Sequence, residues 1–220
     1  MHDFRRFLRR GWWYCLYFHS YSYDSKSSAI QNPREEVLRV AKLLSTDASI
    51  LDVGAGYGNN TQLLLERGHT VTAMETNRDT LPALERLHAL YPEIMNVIAT
   101  SIDCFKPKQQ YDAIVSCMVL HFLENQQVAK KVIADLKAWT KPGGINLLTS
   151  YLDSNTLTSD YSFLLQKNQL HKMYDDWEIV WYEERYARNL KNSKAIKDLA
   201  RVLCGQKGYK AARIIARKPL

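Results

Sequence analysis

The stretch Asp52-Val53-Gly54-Ala55-Gly56-Tyr57-Gly58-Asn59-Asn60-Thr61 sets three glycines at alternate positions, two residues behind an acid. Lacking Cβ atoms, such a loop turns sharply and lets its backbone close on a ligand. Two phosphate-binding patterns are absent. G-x-G-x-x-G needs glycine where Asn59 stands, and no Lys follows to complete G-x-x-x-x-G-K-[ST]. Asp52 disfavours a pyrophosphate and suits an ammonium or sulfonium group. Glu75 ends the next apolar run, where a carboxylate accepts hydrogen bonds from vicinal ribose hydroxyls in dinucleotide folds. Ser101-Ile102-Asp103 follows the run after that and offers a carboxylate to an exocyclic adenine amine. The ordered set suits a nucleoside ligand without phosphates.

The surrounding pattern supplies the elements that position these residues. Asn32-Pro33-Arg34-Glu35 has the cap, the proline and the early acid of a helix start, and Val37, Val40, Ala41 and Leu44 recur at helical spacing. Residues 49–53 predict a buried strand that feeds the glycine loop. Leu63, Leu64 and Leu65 lie in a helix stopped at Gly68. A strand over 70–75, a helix over 81–90 and strands over 95–99 and 111–117 follow. Val128, Val132, Ile133, Leu136 and Trp139 step by three and four along the next helix. Lys141-Pro142-Gly143-Gly144 breaks that helix before a strand over 145–151. Two last strands are expected over 178–186 and 211–218, with a helix bearing Ile196, Leu199, Ala200 and Leu203 between them. Such alternation predicts a parallel sheet with helices on both faces.

These residues resemble the class I S-adenosylmethionine-dependent methyltransferases over roughly residues 35 to 218, and within them the tellurite-resistance (TehB-like) family. The resemblance is carried by residues 52–61, by Tyr111-Asp112-Ala113-Ile114-Val115-Ser116 and by Val119-Leu120-His121-Phe122-Leu123. Thr140-Lys141-Pro142-Gly143-Gly144-Ile145-Asn146-Leu147 carries it further, as does Gln169-Leu170-His171-Lys172-Met173-Tyr174 with Trp177-Glu178. It implies an α/β, Rossmann-like, seven-stranded, mostly parallel sheet whose last strand runs antiparallel. It also implies S-adenosyl-L-methionine as cofactor, with Gly54, Ala55, Gly56 and Gly58 cradling it next to Asp52. Glu75 with Thr76 holds the ribose, Ile102 and Asp103 frame the adenine, and Ser116, Cys117 and Val119 lie against the methionine part. The family's His-Arg pair and further Arg after the sixth strand are not matched. That region reads Tyr186-Ala187-Arg188-Asn189-Leu190, and no His follows His171.

Methyl transfer from a sulfonium is an in-line displacement in which alignment supplies much of the acceleration. A general base is needed only when the acceptor must lose a proton. His121, just past the fourth strand, is a candidate to orient or deprotonate the acceptor, against the plainer reading of a hydrogen-bonded loop histidine. Tyr151 ends the fifth strand and lines the acceptor pocket or its rim. Arg185, with Arg188, suits an anionic acceptor. Tyr21 and Tyr23 are placed to close over the cofactor. Cys104 and Cys117 fall at strand ends, where thiols could hold a soft metalloid, although buried, inert cysteine is the commoner case.

The chain of 220 residues has a net charge of +7 and a pI near 9.2, with 46% hydrophobic and 24% charged residues. These values describe a globular chain and exclude disorder or a fibrous repeat. Four scattered cysteines, with no C-x-x-C pair, argue against a zinc ribbon or a disulfide scaffold and for a reduced, cytoplasmic setting. No metal site is expected. Residues 1–10 carry four Arg against one Asp, and residues 185–220 carry eleven Lys or Arg against one Asp. The aromatic run behind the first cluster is too short to cross a bilayer and lacks a signal peptide's cleavage site. We therefore divide the chain into a basic, aromatic arm or lid over 1–30 and a methyltransferase domain over 31–220. Peripheral membrane contact through the arm is the less favoured role.

The expected function is methyl transfer to a small anionic or soft acceptor. One alternative is a methyltransferase for RNA or another macromolecule, using the basic C-terminal strip. The other is a cofactor-binding module without catalysis. A nucleic-acid partner is not expected, because aromatics do not alternate with the basic residues of that strip.

Overall fold

Seven apolar runs become strands and five segments become α-helices in the computed structural model, which describes residues 35–153, 161–186 and 210–220. All of these lie in the unit Pro33–Leu220. The arm over 1–30, the Asn32-Pro33 helix start, Arg188 and the helix expected around Leu199 lie outside the described residues. In chain order the elements are α1 (Glu35–Ala41), β1 (Ser49–Val53), α2 (Asn59–Leu65), β2 (Thr70–Glu75) and α3 (Leu81–Leu90). There follow β3 (Met95–Ala99), β4 (Tyr111–Cys117), α4 (Gln126–Trp139), β5 (Thr140–Tyr151), α5 (Gln169–Lys172), β6 (Glu178–Tyr186) and β7 (Lys210–Arg217).

The strands form one sheet in the order β3-β2-β1-β4-β5-β7-β6. β7 runs antiparallel to both of its neighbours, and every other pairing is parallel. This is the class I methyltransferase fold that the resemblance implies. Adjacent residues of the central strands feed opposite cores, as the period of two requires. Ile50, Val115 and Leu147 face one core with α1, α2 and α3. Leu51, Ile114 and Leu148 face the other with α4 and α5. Both faces are covered, so these strands read as continuous apolar runs. Gly68, at φ 80°, ends the turn after α2 as expected, and its N–H donates to Leu65 O at 2.9 Å. No helix among the described residues is long and apolar enough to cross a membrane.

Two strands differ in their bounds from the sequence reading: β7 lies one residue earlier than expected, and β5 starts well before Ile145. Pro142 and two glycines suggest a break before a strand at Ile145, but β5 begins at Thr140, which pairs with Tyr111. The register shifts between Tyr111 and Ala113, so the glycines sit within an irregular strand start. The chain end anchors that start. Gly143 N–H donates to Lys218 O at 3.1 Å, and Lys218 N–H donates to Gly144 O at 2.9 Å.

The consequence for function is geometric. β1 to β5 all end at one edge of the sheet, where open α/β folds take their ligands. Asp52, Glu75, Cys117 and Tyr151 all stand at or next to these ends.

Candidate active site

The glycine loop is stitched to β2 by its own backbone. Gly54 and Ala55 N–H both donate to Met74 O, at 2.8 and 3.0 Å. Gly54 has φ 69°, and a Cβ there would stand 2.5 Å from Val119 Cγ2, so only glycine fits. Gly56 differs. At φ 57° its Cβ would meet nothing within 4 Å, so the loop's apex borders open space. Gly58 follows and opens α2 against Leu84 and Leu87.

Glu75 braces this loop. Its Oε2 accepts from Gly56 N–H at 2.7 Å, and its Oε1 accepts from Thr76 and Asn77 N–H at 2.7 and 2.8 Å. A carboxylate offers about four lone-pair directions, so Oε2 retains capacity beside the open apex. Thr76 itself is exposed.

Asp52 is 1% exposed and accepts from Thr61 Oγ1 at 2.6 Å. Burial pushes its carboxyl up to about 6, opposed by the Thr61 hydroxyl and reinforced by the charge of Glu75. At neutral pH it is therefore chiefly an anion in a dry setting, one that a cation would relieve. Across the same edge, Ile102 is buried, while Asp103 and Cys104 are exposed on the turn after β3. Ser116 pairs with Val53 across β1 and β4. Its hydroxyl is fully buried and has no hydrogen-bond partner among the described residues. Cys117 beyond it is half-buried. An open glycine apex, an acceptor at Glu75, a buried anion and an unsatisfied hydroxyl are donor and acceptor types that fit an adenosyl sulfonium with an amino-acid tail.

On the other side of the loop, Met118 holds φ 64°, an uncommon conformation for a side-chain-bearing residue. Its N–H is held by Thr149 O at 2.8 Å and Thr149 Oγ1 at 3.1 Å. This kink carries the chain into the 3-10 turn Leu120–Phe122. His121 within it is 2% exposed, with Nδ1 3.3 Å from Ser150 Oγ. Its ring centroid lies 4.6 Å from that of Tyr151, 4.8 Å from Tyr161 and 4.3 Å from Phe122. His121 and Tyr151, singled out separately in the sequence, thus form one ring cluster.

Arg185 on β6 stands opposite Ala211, which in turn pairs with Tyr151. It therefore shares the row of Tyr151, about 10 Å away by ordinary strand spacing. Its Nε is 2.9 Å from Glu183 Oε2, and its Nη2 is 3.9 Å from Glu36 Oε1. Glu36 is held more firmly by Arg213, whose Nε lies 2.8 Å away, both side chains being 7% exposed. Glu36→Gln should lower unfolding free energy by about 3 kcal/mol, because it leaves Arg213 buried without a counter-charge. Denaturant unfolding at neutral pH measures this, and an unchanged midpoint would contradict it.

Sequence reasoning missed Thr61, Ser150, Tyr161, Glu36 and Arg213. Thr61 alone carried a local signal, as a hydroxyl in the first turn after the glycine loop. Tyr21, Tyr23 and Arg188 lie outside the described residues.

Comparison with known proteins bears on this arrangement. The family described as tellurite resistance protein TehB matches residues 16–198. A probable S-adenosyl-L-methionine-dependent methyltransferase TehB of Haemophilus influenzae is 28% identical over 173 residues, covering 78% of this chain and 59% of its own length. Hemagglutinin 1 of Eikenella corrodens is 32% identical over 175 residues, covering 76% and 54%. The crystal structure of TehB from H. influenzae superposes with a TM-score of 0.72 at 26% identity, covering 88% of this chain and 64% of that one. The chain thus spans a little over half the length of the curated relatives it matches.

Proposed function

The chain belongs to the tellurite resistance protein TehB family, and on that footing we propose that it transfers a methyl group from S-adenosyl-L-methionine to a small anionic or soft acceptor. The observation that supports this most is the glycine loop open at Gly56, with Glu75 braced against it and Asp52 buried beside it. The cofactor, when bound, supplies an electrophilic methyl group on a positively charged sulfur. Gly54, Ala55, Gly56 and Gly58 give it a close backbone surface, Glu75 with Thr76 takes the ribose, and Ile102 with Asp103 takes the adenine. Asp52 balances positive charge, and Ser116, Cys117 and Val119 meet the amino-acid part.

His121 and Tyr151 face the acceptor and fix its approach. Ser150 at Nδ1 holds the His121 ring in one orientation. A thiolate or soft anion needs no base, whereas a protonated acceptor gives its proton to His121. Arg185 binds the acceptor's negative group. The setting is the cytoplasm, in keeping with four scattered cysteines and no C-x-x-C pair.

Release of S-adenosylhomocysteine across a panel of thiols, metalloid oxyanions, phenols and amines tests the reading. Turnover with a small anion or thiol is expected, and cofactor binding with no turnover anywhere would overturn it. With an acceptor that must lose a proton, His121→Ala should lower turnover about 100-fold, with a smaller loss for a soft anion and calorimetric cofactor affinity nearly unchanged. Full activity in that variant would return His121 to a packing role.

A further inference from the structure

Arg185 is charged, stands in the row of Tyr151 and yet completes no aligned hydrogen bond with either acid beside it. Its Nε and Glu183 Oε2 are 2.9 Å apart, but both atoms are buried and neither has a hydrogen-bond partner among the described residues. Its second contact, to Glu36, is 3.9 Å long, and Glu36 is already committed to Arg213 at 2.8 Å. Charge-assisted hydrogen bonds draw their strength from alignment, so the Arg185–Glu183 contact is weak for its distance and cheap to give up. The Glu36–Arg213 pair beneath is buried on both sides, at 2.8 Å, and it stays.

We propose that Glu183 is an internal stand-in for the acceptor's anionic group, keeping Arg185 in reserve until an oxyanion or carboxylate displaces it. Glu183 is thereby a positioning and specificity residue that acts through Arg185. Two features of the sheet suit the exchange. Ala211, between Arg185 and Tyr151, adds only a methyl group to the row that joins them. β6 is the edge strand, so Glu183, one-third exposed, regains water when released. A planar guanidinium also grips a carboxylate or oxyanion through two parallel N–H donors, which the misaligned Glu183 contact does not use. A neutral acceptor has nothing to offer in this exchange, so Glu183 selects for charge.

This inference rests on the reading of Arg185 as the acceptor's anion contact, and the test separates the two. Selenite serves as the probe, titrated calorimetrically into the full chain saturated with S-adenosylhomocysteine. E183Q removes the competing charge at constant size and should bind selenite about tenfold more tightly than wild type. R185Q should bind at least tenfold more weakly, and the E183Q/R185Q double variant should match R185Q, since Glu183 has no effect without Arg185. A merely structural Glu183 predicts no gain in affinity. Unchanged or weaker binding in E183Q, with loss in R185Q, overturns the stand-in and keeps the anion contact. An equal gain from E183Q with or without Arg185 overturns it too, since a general charge effect then suffices. Equal binding by wild type and R185Q, or no binding by any variant, overturns both.

Discussion

Replacing Glu75 by alanine should weaken S-adenosylhomocysteine binding by at least about 100-fold, the sum of two hydrogen bonds to a charged acceptor at roughly 1.5–3 kcal/mol each. Two effects act together. The ribose hydroxyls lose their acceptor, and the loop loses the brace that Oε2 gives Gly56 N–H and Oε1 gives Thr76 and Asn77 N–H. Glu75→Gln separates them. One amide oxygen can still accept from Thr76 and Asn77, but the NH2 group then faces Gly56 N–H as donor against donor. Affinity should fall almost as far as in the alanine variant, with a smaller loss of thermal stability. Calorimetric affinity equal to wild type in Glu75→Ala would remove Glu75 from the site.

Asp52→Asn should produce effects of opposite sign on stability and on binding. The Asp52 carboxyl sits at about 6 in the folded chain against an ordinary 3.8. Folding therefore favours its protonated form, and that contribution is whole below pH 3.8. It fades as pH rises from 3.8 through 6, leaving a cost of about 3 kcal/mol at neutral pH. Asparagine is uncharged throughout and keeps an oxygen for the Thr61 hydroxyl. The ligand-free variant should thus melt roughly 5–10 °C higher than wild type at pH 7.5, with the gain vanishing at pH 4. Its affinity for S-adenosylmethionine should fall by about tenfold or more. The loss for S-adenosylhomocysteine should be smaller, because the neutral sulfide has no charge for Asp52 to balance. Melting curves across pH and paired titrations check this. A variant less stable than wild type at neutral pH, or equal losses for the two ligands, would contradict the role of Asp52.

The fold was largely legible because its signals are local. Short runs between turn residues marked β1, β2, β3, β4 and β6 at their observed bounds, most plainly β1 and β4, whose cover on both faces leaves little polar alternation. The start of β5 was not legible. Pro142 and the glycines look like a break, and only the pairing of Thr140 with Tyr111 and the tie to Lys218 make that segment part of the sheet. The glycine loop and its acids lie within one βαβ unit, so spacing alone brought Asp52, Gly56 and Glu75 together.

The acceptor side is built from long-range encounters that no periodicity reports. Tyr161 reaches the His121 ring from a segment without a motif, and Ser150 is an ordinary small residue near the end of β5. Glu36 and Arg213 meet from the two ends of the domain. In the sequence each is an ordinary charge, and only burial makes them a pair. The left-handed Met118 was equally hidden, because its strain is imposed by hydrogen bonds to Thr149 and not by its own side chain.

The most direct measurement is a crystal structure of the full chain grown with S-adenosylhomocysteine. The account predicts one ligand lying over Gly56, its ribose hydroxyls on the Glu75 carboxylate and its adenine between Ile102 and Asp103. Density for the ligand elsewhere, or a hollow that takes a nucleoside triphosphate and refuses the thioether, would contradict it.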